Sequence, residues 1–205
     1  MGEVTLFPAA PLAVVVLAGG GSRRLGGVDK TAIEINGRTL LDRVLALWPA
    51  GADLVVVGPE RPTRLPVTWC RESPPGGGPV SAIAAALPLV AAPLVALVGA
   101  DMPLLGPAVR LIVDAATSAI DSGEEGAWAV TSSGRPQPLA SCMTKASLAA
   151  VLPVEVAGQA ILPVLQGLRL TEVPAFDDWL LDADTEDDLQ RVRELIYRTE
   201  GNVDD

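Results

Sequence analysis

Residues 13–18 and 94–98 are apolar at every position, and each run stops at a glycine. A strand with one wet face alternates apolar and polar side chains. A short run without any polar residue belongs instead to a central parallel strand covered on both sides. The chain is thereby confined to an α/β architecture, and its other segments agree. Leu40, Leu41, Val44, Leu45 and Trp48 mark one helical face over 39–48 before Pro49. Strands are expected at 54–57 and 67–70, a buried small-residue helix at 80–87, a helix at 108–120, and strands at 127–130 and 139–143. Thr185 and Asp188 form a capping box for a last helix, in which Leu189, Val192, Leu195 and Ile196 repeat at helical spacing. The expected fold is one Rossmann-like α/β domain over 1–205, with a mostly parallel central sheet, helices on both faces, and frayed ends at 1–10 and 200–205. Such sheets bind ligands at the carboxyl ends of their strands, so the chemistry is sought just after Ala18 and just after Ala100.

Composition narrows that chemistry. The 205 residues are 49% apolar and carry a formal charge of −10, so no basic surface is offered to a nucleic-acid backbone. There is no histidine, which removes Ser-His-Asp and Cys-His catalysis, imidazole bases and His-ligated zinc. Two cysteines, Cys70 and Cys142, are too few for a disulfide scaffold; both are read as core residues of a cytoplasmic protein. The uncharged segment 73–100 is long enough to span a bilayer. Its Pro79, Pro88 and Pro93 and its three successive glycines divide it into a buried helix, a turn and a buried strand instead.

After the first strand the chain reads Gly19-Gly20-Gly21-Ser22-Arg23-Arg24-Leu25-Gly26-Gly27-Val28-Asp29-Lys30. Glycines let the backbone approach a ligand closely and aim N–H groups at an anion. Arg23, Arg24 and Lys30 concentrate positive charge in an acidic chain, as a polyphosphate site requires. The spacing fits neither a P-loop, because Gly27 stands where the lysine is needed, nor a dinucleotide fingerprint, because Arg24 replaces the last glycine. The plainer reading is a βα loop with solvated arginines.

This loop, with Glu34-Ile35-Asn36-Gly37-Arg38 after it, resembles the signature of the nucleotidyltransferases that make molybdenum cofactor dinucleotides, and is especially similar to the molybdenum cofactor guanylyltransferases. The resemblance implies a nucleotidyltransferase domain. It implies that Leu17, Ala18 and Gly19 line the base and ribose, and that Gly19, Gly20, Gly21 and Lys30 hold the triphosphate.

Gly99-Ala100-Asp101-Met102-Pro103 leaves a buried strand, where a carboxylate must pair, bind metal or titrate upward. A helix cap or turn would be the ordinary role. Beside a triphosphate loop, Asp101 becomes the candidate Mg²⁺ ligand, and the segment is similar to the family's Asp-Met-Pro motif, whose aspartate binds Mg²⁺. Asp182 and Asp184, two apart on an extended segment, point to one side. They are further metal candidates, although Asp184 or Thr185 also suits a helix cap. Their stretch resembles the family's Asn-Thr-Pro-Glu-Asp-Leu, with aspartate for asparagine and Glu186 for proline. Pro74-Pro75-Gly76-Gly77-Gly78-Pro79 resembles the family's Gly-Pro-Leu segment, and the resemblance implies that Glu72, ahead of it, is the acidic residue that reads guanine. Gly58-Pro59-Glu60 stands where the guanylyltransferases carry asparagine, so GTP and CTP both stay open. Arg135, in Arg135-Pro136-Gln137-Pro138-Leu139, resembles the acceptor-side loop and is expected to meet a phosphate of the second substrate.

The expected activity is Mg²⁺-dependent transfer of GMP from GTP to the terminal phosphate of a molybdopterin-type cofactor, releasing pyrophosphate. Lys30, Arg23, Arg24 and Asp101 are its catalytic residues. Alternatives are a cytidylyltransferase for the same cofactor, an NTP transferase for a sugar phosphate or phospholactate, and a nucleotide-binding regulatory paralogue without catalysis. The partners expected are a nucleoside triphosphate and a phosphorylated small-molecule acceptor, with neither nucleic acid nor membrane.

Overall fold

A computed structural model describes residues 11–19 and 30–201. The chain runs through β1 (Leu12–Leu17), β2 (Glu34–Ile35), β3 (Arg38–Thr39), α1 (Leu40–Leu45), β4 (Asp53–Val57), β5 (Thr68–Cys70), α2 (Pro79–Ala86), β6 (Leu94–Gly99), α3 (Gly106–Asp121), β7 (Gly126–Val130), β8 (Pro136–Thr144), α4 (Lys145–Val151), α5 (Ile161–Leu165), β9 (Leu170–Pro174) and α6 (Glu186–Glu200). Seven strands form one sheet in the order β5-β4-β1-β6-β8-β7-β9, and β2 and β3 pair separately.

The uniformly apolar strands lie at the centre. β1 is flanked by β4 and β6, both parallel to it. Period-two alternation sends Val14 and Val16 of β1, with Ala96 and Val98 of β6, into one core with Leu41 and Val44 of α1 and Val109 and Ile112 of α3. Ala13, Val15, Val95 and Leu97 face the other way, against Ile83 of α2, Leu148 of α4 and Leu165 of α5. Helices therefore cover both faces, as the apolar runs require.

β8 runs antiparallel to both β6 and β7. The short connection 131–135 accounts for this, because a parallel return needs a crossover of a dozen or more residues. The last helix starts as its capping box predicts: Asp188 N–H donates to Thr185 Oγ1 at 3.1 Å, and Thr185 N–H donates to Asp188 Oδ2 at 2.9 Å. The uncharged segment contains α2, a 3-10 turn (Leu87–Leu89) and β6, and no described helix is long and apolar enough to cross a membrane.

Several elements depart from expectation. α1 has six residues, starting after its cap Thr39 and ending before Ala46. Asn36 and Gly37 both have positive φ, +48° and +67°, and close the β2–β3 hairpin, a turn for which Asn-Gly is a strong signal. Cys142 is buried, but Cys70, expected in the core, is only partly so, because β5 is an edge strand. Glu200, counted with the frayed tail, ends α6 and accepts hydrogen bonds from Arg43 Nη1 at 2.6 Å and Asn36 Nδ2 at 2.7 Å.

Candidate active site

From β1 the chain passes to β4 on one side and β6 on the other, so the carboxyl ends of β1 and β6 flank the point where strand order reverses. Ladder bonds continue past the strands there: Ala18 N–H donates to Val57 O at 2.8 Å, and Ala100 N–H to Leu17 O at 3.1 Å. Gly58 abuts this end, and a β-carbon on it would lie 2.8 Å from Ala18 C. That close approach reserves the position for glycine. Leu17 is half-buried, Ala18 buried and Gly19 exposed. Gly20, Gly21, Arg23 and Arg24 lie outside the described residues.

Lys30 opens a 3-10 turn (Lys30–Ala32), and its Nζ donates to Asp184 Oδ1 at 2.6 Å. The lysine side chain is 13% exposed and the aspartate 45%, so the ammonium is withdrawn from water while its partner still faces it. Asp101 leaves β6 opposite, and Ala183 N–H donates to Asp101 O at 3.0 Å. That bond draws residues 182–184 against Asp101. Three of the expected site residues from distant parts of the chain, together with Lys30, thus share one end of the sheet.

Electrostatics record the crowding. Burial raises the Asp101 carboxyl above the ordinary range and Asp184 adds repulsion, while its own backbone N–H and Lys30 oppose the shift. Asp182 is pushed up to about 7, chiefly by burial, then by repulsion from Asp101, Asp184 and Asp188. Its Oδ1 is buried without a hydrogen-bond partner. A buried carboxyl oxygen in that state is an acceptor that a proton or a cation can satisfy.

Among the described residues, no three His, Cys, Asp or Glu side chains converge tightly enough to hold a metal ion by themselves. Mg²⁺ does not demand such a cage, since it is commonly held by one or two carboxylates together with substrate phosphates. Asp101 and the orphaned Asp182 are hard oxygen donors of the right kind. Asp184, the third candidate, gives its Oδ1 to Lys30 instead. Gly99 makes room for Asp101: a β-carbon there would lie 2.6 Å from Asp101 Oδ1.

Glu72 is buried beyond β5, and its Oε1 accepts from Gly76 N–H at 2.9 Å. A β-carbon on Gly19 would lie 3.9 Å from that oxygen, so Glu72 adjoins the end of β1. Arg135 is exposed at the β7–β8 connection, at the same edge of the sheet. Thr131 Oγ1 accepts from Arg135 N–H at 3.0 Å. Asp177 accepts from Ser132 N–H at 2.8 Å and Ser132 Oγ at 2.6 Å, which ties this loop to the segment after β9 and holds the Asp177 carboxyl below its usual value. Sequence reasoning missed Gly58, Gly99 and Arg61, whose Nη1 donates to Thr31 Oγ1 beside Lys30. A glycine directly ending a buried strand was the available signal for the first two.

The chain is similar to known proteins in sequence and in fold. The family described as MobA-like NTP transferase domain matches residues 14–169. The chain is 31% identical over 199 residues to a probable molybdenum cofactor guanylyltransferase of Synechococcus elongatus, covering 88% of this chain and 97% of that one. It is 29% identical to a protein of the same description from Natronomonas pharaonis, covering 89% and 96%. Among solved structures, molybdopterin-guanine dinucleotide biosynthesis protein A from Archaeoglobus fulgidus shares the fold with a TM-score of 0.69 at 22% identity, covering 91% of this chain and 99% of that one. The chain belongs to the MobA-like NTP transferases, and is a nucleotidyltransferase by family.

Proposed function

We propose that the protein transfers GMP from GTP to the terminal phosphate of a molybdopterin-type cofactor in an Mg²⁺-dependent reaction that releases pyrophosphate. The observation that carries this reading is the meeting of Lys30 with Asp101, Asp182 and Asp184 at the switch point of the sheet. The guanylyltransferase names of its relatives support the choice of base and acceptor.

An acceptor phosphate oxygen attacks the α-phosphorus of GTP in line, the new P–O–P bond forms, and the α–β bridging bond breaks as pyrophosphate departs. A phosphate monoester has its second pKa near ~6 and is already ionised at neutral pH. No general base is required, in keeping with a chain that lacks histidine. What remains is positioning and charge neutralisation. Lys30 exchanges Asp184 for the triphosphate and offsets charge on the leaving group, with Arg23 and Arg24 as further cations from the loop. Asp101 and Asp182 would hold Mg²⁺, which supplies charge neutralisation across the phosphates. Leu17, Ala18 and Gly19 line the base and ribose, and Glu72 accepts from guanine N1–H and the 2-amino group. Arg135 meets a phosphate of the acceptor. Both cysteines are free thiols, which supports a reducing, cytoplasmic setting.

The test is pyrophosphate release with Mg²⁺ and molybdopterin-type cofactor, offering GTP and CTP in parallel, with Asp101→Ala as control. Release with GTP alone is expected. Release with CTP alone would keep the site and overturn the base assignment. Silence with both would remove the acceptor.

A further inference from the structure

The described chain enters the glycine-rich segment at Gly19 and leaves it at Lys30, and one short stretch, 58–61, touches both places. At the entry, Gly58 packs against Ala18 so closely that no side chain fits between them. Gly58 N–H also donates to Cys70 O at 3.0 Å, which pins the stretch to the sheet. At the exit, the half-buried Arg61 donates from Nη1 to Thr31 Oγ1, next to Lys30. The same guanidinium donates from Nε to Pro59 O at 3.1 Å. A planar guanidinium held at two of its nitrogens is a rigid spacer, which a lysine ammonium is not. Thr31 is buried, so its hydroxyl is a fixed anchor.

We infer that Arg61 is a positioning residue for the nucleotide: it holds the turn bearing Lys30 at a set distance from the end of β1, so that the ammonium meets the triphosphate. This deepens the reading of the site given above and rests on it. Lys30 Nζ is restrained from one side by Asp184, and its backbone from the other by Thr31 and Arg61. When phosphate displaces Asp184, the second restraint still acts on where the ammonium stands. Arg61 acts through Lys30, which separates it from a residue that merely supports the fold.

The experiment is a double-mutant cycle on equilibrium binding of GTP with Mg²⁺ by calorimetry, which needs no acceptor. Arg61→Ala is expected to weaken binding about tenfold, and Thr31→Val by a similar factor, with Thr31→Ser close to wild type because it keeps the acceptor oxygen. In a Lys30→Ala background the further change Arg61→Ala is expected to cost less than about twofold, since its route to the phosphates is gone. Additive losses of Arg61 and Lys30 would overturn the inference, and so would wild-type affinity in Arg61→Ala. If Arg61→Ala fails to fold, the Thr31→Val and Thr31→Ser pair carries the same test, and equal affinity in the two overturns it. Absence of binding by the wild-type protein with both GTP and CTP would overturn the nucleotide reading itself, and the inference with it.

Discussion

Lys30 Nζ and Asp184 Oδ1 stand 2.6 Å apart although 154 residues separate them in the chain. The pair closes the site between the turn after the glycine loop and the segment that caps α6. It also means that the lysine expected to hold phosphate already has an anionic partner. On the proposed function, triphosphate binding is an exchange of one anion for another. Asp184→Asn removes the competing charge and relieves that competition. It is expected to tighten GTP binding severalfold, most clearly when Mg²⁺ is scarce, in calorimetric titrations across Mg²⁺ concentrations. Unchanged affinity would show that the pair plays no part in nucleotide entry.

Lys30→Ala removes the cation from a group of carboxylates, and Asp101→Ala removes the oxygen donors at the end of β6. Each is expected to lower turnover by roughly a hundredfold or more, as loss of a charge-stabilising group does. Circular dichroism should show the fold retained. Full activity in either variant would sink the assignment of that residue.

Much of the fold was legible because it depends on local pattern. Uniformly apolar runs marked β1 and β6 as central strands, and Thr185 with Asp188 marked the start of α6. Reversal of β8 was not legible: it depends on the shortness of the 131–135 connection, which becomes evident only once both strand ends are known. Within the candidate site, Lys30 and Asp101 stood out by residue type and place, and Glu72 through the family resemblance. The Lys30–Asp184 pair and the Arg61–Thr31 contact did not, since each needs tertiary packing to bring its partners together. Cys70 was misjudged for the same reason, because an apolar neighbourhood in sequence does not reveal an edge strand.

Gly99 bears on Asp101 through space. A β-carbon at this position would intrude to 2.6 Å from the Asp101 carboxylate, while Gly99 is not among the positive-φ glycines, so alanine adds no backbone strain of that kind. Gly99→Ala is therefore expected to displace the carboxylate and cut kcat/KM by roughly tenfold to a hundredfold, the scale set by small misplacements of catalytic groups. The Mg²⁺ concentration needed for half-maximal rate should rise with it. Wild-type Mg²⁺ dependence in a folded Gly99→Ala protein would separate Asp101 from the metal.

One substitution can divide the turn contact of Glu72 from the guanine contact proposed for it. Its Oε1 shapes the 72–76 turn by accepting from Gly76, and a glutamine retains one acceptor for that purpose. A glutamine cannot, however, accept from both guanine N1–H and the 2-amino group. Glu72→Gln is expected to keep the melting temperature and raise KM for GTP at least tenfold, in line with the cost of leaving polar groups unpaired. A variant equal to wild type with GTP would leave Glu72 with the turn alone.

Glu200 supplies the pH dependence that follows from the fold. Hydrogen bonds from Arg43 and Asn36 hold its carboxyl below the ordinary value, so its folded pKa lies under its unfolded one. Such a group adds stability above its unfolded pKa of about 4.3, and that stability is lost as pH falls through the folded value. The buried Arg43 then loses its carboxylate partner, and α6 loosens from α1. Urea midpoints measured from pH 6 to pH 3 should fall more steeply for the wild type than for Glu200→Gln. The two curves should converge at the acid end, where both side chains are neutral. Parallel curves across that window would mean that the contact adds nothing to stability and that the end of α6 is held by Leu189, Val192 and Ile196 alone.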